Sequence, residues 1–336
     1  MKLTRELSNL ISSPFISRGG GSATVTICIP TYQSEPFIER TLAFASGQTL
    51  NNIRILVSVD TSTDKTANIC REFARTDSRI DGIETEGRMV WAGNVARRVR
   101  NVDTDFFFMF YHDDVILPQF CEKMQAALLA APEAASANCE VSWLGETERR
   151  IPAYSYPQKT VERVATLYAY DQIPGAPMRN MVRTSKFGSE TLLEDGADGM
   201  KLHYGFLTKM MIAGPCIAVP DNLYIRWIRK GGLVDGWKAL SWEDFLGSWQ
   251  AMLDRLLPVL TDTFENKSDC DLVTHALLSR ARWHLQQKAK TDDQKRSSLL
   301  FRSDLSEVSF EPNLESLNPE LAAAVNGLGA RVKNAL

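Results

Sequence analysis

Apolar residues along this chain alternate between two kinds of run. Short, dense, β-branched runs bounded by turn residues read as buried strands: Val25 to Ile29 (VTICI) before Pro30, Ile53 to Val59 (IRILVSV) before Asp60, and Phe106 to Tyr111. Arg79 to Glu84 (RIDGIE) is a weaker strand of the same kind. Between them the spacing changes to three and four. Glu35 to Ser46 places Phe37, Ile38, Leu42 and Phe44 among polar neighbours, Thr63 to Arg75 sets Ile69 and Phe73 four apart, and Trp91 to Arg100 continues the pattern. Strands alternating with helices predict right-handed crossovers and a mostly parallel sheet covered on both faces. In such sheets ligands bind outside the carboxyl ends of the strands. Those ends carry Pro30-Thr31-Tyr32, Asp60 and His112-Asp113-Asp114, so these three clusters are expected to meet in one crevice.

The second half reads differently. Helices are expected over 119–131 and 198–213, and a short strand near Ala137 to Leu144; another apolar stretch runs from Gly214 to Val219, where Pro220 ends it. From Ser241 the pattern is helical throughout, with Ser241 and Asp244 as a helix start, and the tail from Thr291 is polar and weakly patterned. Gly19-Gly20-Gly21-Ser22 marks a flexible link. The expected organisation is a flexible segment over 1–22, an α/β domain over 23–232 and a helical region over 233–336. That region would shape an acceptor site or mediate homodimerisation. Trp237, Trp242 and Trp249 fit a helix packing face better than a carbohydrate platform.

Composition narrows the class. With 336 residues, 44% hydrophobic and 24% charged, the chain can bury a large core, and a net charge of −3 argues against nucleic acid as a partner. Arg97, Arg98 and Arg100 form a short basic cluster that reads as a solvated helix face. Six scattered cysteines lack metal or disulfide spacing, and Cys28 and Cys216 sit in apolar runs as small core residues. No h-region opens the chain and no apolar run reaches the ~20 residues of a membrane span, so a cytoplasmic protein is expected. Docking at the inner face of a membrane stays open.

The chemistry concentrates in FFFMFYHDDVILP, residues 106 to 118. Two adjacent carboxylates at a strand end gain nothing for the core. They suit Mg²⁺ or Mn²⁺ held by one or two side chains plus phosphate oxygens and water. Around them stand Pro30-Thr31-Tyr32-Gln33, Gln48-Thr49, and Asp60-Thr61-Ser62-Thr63-Asp64-Lys65-Thr66, with Pro118 beyond. In this order and spacing the fragments resemble the opening of family 2 glycosyltransferases, strongly to about residue 120 and loosely to 232.

The resemblance implies a GT-A, Rossmann-like fold, a nucleotide-sugar donor with a UDP-sugar favoured, and inverting transfer. Tyr32 would stack on the base, Thr31 and the backbone around Pro30 would hydrogen-bond it, and Asp60 would accept from its ring N–H. Asp113 would hold the ribose or the metal, and Asp114 the metal on the diphosphate. Three departures stand out. One aspartate, Asp60, stands where the family often has two; Tyr111 replaces the first acid of D-x-D; and Gly93 stands where an arginine is common, so that Arg88 either supplies the missing cation or is a solvated loop residue.

Inverting transfer also needs a base on the acceptor hydroxyl. After Arg183-Thr184-Ser185-Lys186-Phe187, the resemblance offers Glu194-Asp195, while Asp198 sits nearer the helix start that favours an ionised carboxylate. Asp198 and Asp195 are the candidates, with Glu194 behind them. Downstream, Tyr224 to Gly232 resembles the family's Y-x-R-x-H-x-x-S loop without its histidine, and Arg229 or Lys230 could pair with phosphate instead. The expected acceptor is saccharide, lipid-linked or protein. A sugar nucleotidyltransferase would carry a Gly-rich phosphate loop that PTYQSEPF lacks, and a nucleotide-sugar-binding protein without transfer is the other alternative.

Overall fold

The computed structural model describes residues 24–84, 88–146, 148–170, 173–188, 201, 203–302 and 317–333. Two compact units divide the chain. The first is Met1–Ser155, Gly175–Asp195 and Cys216–Arg229; the second is Tyr156–Pro174, Gly196–Pro215 and Lys230–Leu336. The second unit therefore takes two segments from within the stretch read above as one α/β domain.

The first unit is built on one nine-stranded sheet. Its strands are β1 (Val25–Thr31), β2 (Ile53–Val59), β3 (Ile80–Glu84), β4 (Phe106–Met109), β5 (Val115–Ile116), β6 (Ser136–Gly145), β7 (Arg149–Ile151), β8 (Met181–Arg183) and β9 (Cys216–Ile228). They lie in the order β3-β2-β1-β4-β8-β6-β9-β5, with β7 on β6. The long ladders, β1 with β2 and β4, β2 with β3, and β6 with β9, are parallel. The antiparallel ones are only two or three residues long. The chain steps outward from β1 to β3 and then returns to the other side of β1 as β4. That reversal opens a crevice at the carboxyl ends of β1 and β4.

Four helices of this unit follow the predicted spacing: α1 (Ile38–Ser46), α2 (Thr66–Thr76), α3 (Val90–Arg100) and α4 (Phe120–Ala130). In α1 the buried residues Ile38, Thr41, Leu42 and Ala45 make one stripe. They face a core that includes Ile27, Ile29, Ile55, Val57, Phe108 and Phe120. The Phe108 and Phe120 rings lie 4.6 Å apart, and burying such a side chain stabilises by about 2–3 kcal/mol. The basic cluster on α3 is not a solvated face throughout: Arg98 is fully buried. None of its guanidinium nitrogens has a hydrogen-bond partner among the described residues.

Pro220 does not end β9. The strand continues to Ile228, and its register against β6 shifts on either side of Glu140: Val219 faces Cys139, Asn222 faces Glu140 and Tyr224 faces Val141. Pro220 and Asp221 fall in the gap, where a residue without an N–H breaks no ladder bond. Past the bulge, Tyr224 and Ile225 pair with β5 directly behind the paired carboxylates.

The short helix α6 (Thr184–Phe187) completes the first unit. The second unit is helical: α5 (Thr160–Ala169), α7 (His203–Ala213), α8 (Leu233–Ala239), α9 (Trp242–Thr263), α10 (Lys267–Lys288), α11 (Asp292–Leu300) and α12 (Pro319–Lys333). Ser241 caps α9 by accepting from the Asp244 N–H, as its position predicts. Trp249 is fully buried between the rings of Tyr204 and His284, at 5.6 and 5.4 Å, which is a packing role. The tail expected to be weakly patterned begins α11 with a capping box of Thr291 and Gln294. No helix among the described residues is long and apolar enough to cross a membrane.

Candidate active site

Parallel register brings the first two clusters together. Thr31 stands opposite Val59, and the Asp60 N–H donates to the Thr31 carbonyl at 2.9 Å. Asp60 is buried, and its Oδ1 accepts from the Met89 N–H at 2.8 Å, which anchors the start of α3. The neighbouring Arg88 lays its guanidinium over the Tyr32 ring, 4.3 Å from the centroid. Arg88, Tyr32 and Asp60 thus form one corner. The Thr31 hydroxyl is buried there without a partner among the described residues.

The third cluster joins across the crevice. The Phe110 N–H donates to the Cys28 carbonyl at 2.8 Å, continuing the β1–β4 ladder. His112 Nδ1 then lies 3.4 Å from the Pro30 carbonyl. The Thr41 hydroxyl donates to the His112 carbonyl at 2.6 Å and Arg40 Nη2 to the Asp113 carbonyl at 3.1 Å. Two side chains of α1 therefore fix the backbone that presents the acids.

The two adjacent aspartates have opposite surroundings. Asp114 is buried, 1% exposed, and both its oxygens are engaged by protein donors. Oδ2 accepts from Arg179 Nη2 at 3.1 Å and the Tyr224 hydroxyl at 2.9 Å; Oδ1 accepts from the Trp227 N–H at 3.1 Å. Burial pushes the Asp114 carboxyl upward, against the opposing pull of Arg179. Burial works against the Arg179 charge too, but Asp114, Tyr224 and Tyr111 together outweigh it and push the guanidinium above its ordinary range. The Arg179 guanidinium also lies over the Tyr111 ring at 4.8 Å. Tyr111, at the place of the missing acid, is pushed up to about 12 by its burial. Asp113 instead faces the crevice with its side chain 22% exposed, and its Oδ2 accepts from Arg229 Nε at 3.0 Å.

Arg179 was not among the residues singled out from sequence, nor were Arg40 and Thr41. Other motif residues prove to be structural. Gln48 accepts from the Cys121 N–H and donates to the Leu117 carbonyl, while Thr49 bonds Pro118 and Glu122. Asp64 accepts from the Glu35 and Thr66 N–H groups and Ser62 from the Gln33 N–H, clasping the loops after β1 and β2. Arg183 donates to the carbonyls of Ala131 and Ala134 beyond α4. Glu194, Asp195 and Asp198, the candidate bases, lie outside the described residues.

The acids can be tested against a divalent ion by their donors. No three His, Cys, Asp or Glu side chains gather into a metal cage among the described residues. Asp114 is poorly placed to give an oxygen, being buried with both oxygens already accepting from protein donors. Asp113 does: its Oδ1 has no partner among the described residues, and one carboxylate plus phosphate oxygens is a sufficient protein share for Mg²⁺ or Mn²⁺.

Comparison with known proteins agrees with this architecture. Residues 26–180 match the family model described as Glycosyl transferase family 2. The chain is 25% identical over 232 residues to the glycosyltransferase GlyA of Streptococcus pneumoniae serotype 4, covering 63% of this chain and 32% of that protein. It is 30% identical over 103 residues to EpsH of Bacillus subtilis, covering 30% of this chain and 29% of that one. The chain thus spans about a third of the length of these curated relatives. Among solved structures, S. aureus TarS 1–349 in complex with UDP-GlcNAc matches with a TM-score of 0.66 at 15% identity, over 93% of this chain and 89% of that one. That likeness is one of fold, and it is the α/β architecture with a mostly parallel sheet that the sequence predicts.

Proposed function

We infer that this chain, a member of glycosyl transferase family 2 through residues 26–180, transfers a sugar from a nucleoside diphosphate donor to an acceptor hydroxyl. The observation that carries this reading is the meeting of an aromatic face, a buried acid and a half-exposed carboxylate at one sheet end: Tyr32, Asp60 and Asp113. A base would stack on Tyr32, in place of the Arg88 guanidinium or beneath it. Thr31 and the backbone at Pro30 would hydrogen-bond the base. Asp60 would accept from a ring N–H, which uracil and guanine offer, and a UDP-sugar is the favoured donor.

A divalent ion, Mg²⁺ or Mn²⁺, is held in this reading by Asp113 rather than Asp114, because Asp113 keeps an open oxygen. When bound it neutralises charge on the departing diphosphate as a Lewis acid. Asp114 is left to position: it ties β9 and Arg179 behind the acid that faces the donor. Transfer proceeds with inversion, and a carboxylate from Asp198 or Asp195 takes the acceptor proton. The acceptor is a saccharide, a lipid-linked sugar or a protein. A cytoplasmic location, with or without docking at a membrane face, and a homodimer belong to the same proposal.

Calorimetric titration with UDP, GDP, CDP and TDP, in Mn²⁺ and in chelator, tests the reading. One nucleotide binding more tightly with Mn²⁺, with the metal effect lost in Asp113→Asn, is the expected result. Binding of none of the four would overturn it.

A further inference from the structure

Arg229 immediately follows β9, and its guanidinium is gripped from two sides. Nε donates to Asp113 Oδ2 at 3.0 Å, and the guanidinium carbon stands 4.6 Å from the centre of the Phe37 ring. Both charged side chains are partly open, at 29% and 22% exposure. Among the described residues, neither terminal nitrogen of Arg229 has a hydrogen-bond partner. The pairing thus uses one of five N–H donors and leaves the fork of the guanidinium uncommitted.

The neighbouring cations are differently placed. Arg179 is engaged by Asp114, and Arg40 holds the Asp113 carbonyl beside the Trp227 ring at 6.0 Å. Arg226 lies over the Trp143 ring at 4.6 Å, and burial followed by Arg179 works against its charge. Arg229 combines a fixed position, an open fork and direct contact with the crevice carboxylate.

We propose that Arg229 is the diphosphate-binding residue of the donor site, with Phe37 and Asp113 holding its guanidinium ready before the donor arrives. This rests on the donor reading above and deepens it. A diphosphate approaching Asp113 meets a negative charge, and Arg229 cancels that repulsion while offering two parallel N–H groups to phosphate oxygens. The planar guanidinium loses less freedom on binding when a ring face and a carboxylate already orient it. The arrangement has a second consequence. Without a donor, Arg229 and a divalent ion compete for the same carboxylate, so removing the arginine affects the two ligands in opposite directions.

The test measures UDP and GDP, each against its own monophosphate, by calorimetry in chelator on wild type, Arg229→Ala and Arg229→Lys. Arg229→Ala is expected to weaken the preferred diphosphate about tenfold, leave its monophosphate within twofold, and so erase the preference for diphosphate. Arg229→Lys recovers part of that loss. Mn²⁺ alone, titrated by electron paramagnetic resonance, is expected to bind Arg229→Ala more tightly than wild type, a gain that an unfolded variant cannot give. Wild type that binds diphosphates with Arg229→Ala unchanged overturns the inference alone. Wild type that binds no nucleotide with or without Mn²⁺ overturns the donor reading as well.

Discussion

Arg179 and Asp114 lie 65 residues apart in sequence and 3.1 Å apart in space, with side chains 16% and 2% exposed. Tyr224 and the Trp227 N–H, both on β9, complete the acid's hydrogen bonds, so two distant parts of the chain converge on one carboxylate.

Removing the arginine leaves a buried charge uncompensated. Arg179→Ala is expected to lower unfolding free energy by about 3–5 kcal/mol in denaturant titrations. The sign of its pH dependence is fixed. Without Arg179 the Asp114 pKa rises further above its unfolded value, and the folded variant binds a proton that the unfolded chain releases. The deficit of the variant therefore shrinks as pH falls from 8 toward 5. A deficit that stays constant over that range contradicts the pairing.

Tyr32 is expected to contribute through its ring and not its hydroxyl. Tyr32→Ala should weaken nucleotide binding roughly 10- to 100-fold, the worth of one base–aromatic stack, whereas Tyr32→Phe stays close to wild type. Calorimetry on the two variants separates stacking from a hydroxyl contact.

In the second unit His284 is driven well below 6.5 by burial, then by Lys201, Arg280 and His203. The folded form therefore keeps the ring neutral where the unfolded chain takes up a proton, and stability falls as pH drops below 6.5. The slope is about 1.4 kcal/mol per pH unit at most. Thermal melts between pH 7.5 and 5.5 should show it, and His284→Phe, which keeps a ring against Trp249, should flatten it.

Gly145 ends β6 with φ at 111°, and a Cβ there would run into the Ile228 carbonyl oxygen. Gly145→Ala is expected to cost about 1–3 kcal/mol for the backbone strain, more with the clash. Because Ile228 precedes Arg229, the same change should weaken diphosphate binding, read as a raised dissociation constant for UDP at unchanged UMP affinity.

Much of the sheet was legible because β1, β2 and β4 are short, dense in apolar residues and separated by helices of regular spacing. The corner made by Thr31, Tyr32 and Asp60 followed from strand order alone. The difference between Asp113 and Asp114 did not, since adjacent identical residues differ here only in what lies against them. Arg179 and Tyr224 reach Asp114 from distant positions that no local spacing connects. Pro220 was read as the end of an apolar stretch because a bulge depends on its partner strand, which the segment itself does not encode.

That bulge makes part of the site a matter of length. Between Cys139 and Val141, β6 advances two residues, while β9 advances five, from Val219 to Tyr224. The slack decides which residue arrives beside Asp114. Inserting or deleting one residue between Val219 and Asn222 would leave the hydrophobic composition of β9 almost untouched, yet it would deliver a different side chain to the acid and carry Arg229 off Asp113. The spacing of this loop acts as a ruler, and relatives with the same residues but a different count would have to build the site another way.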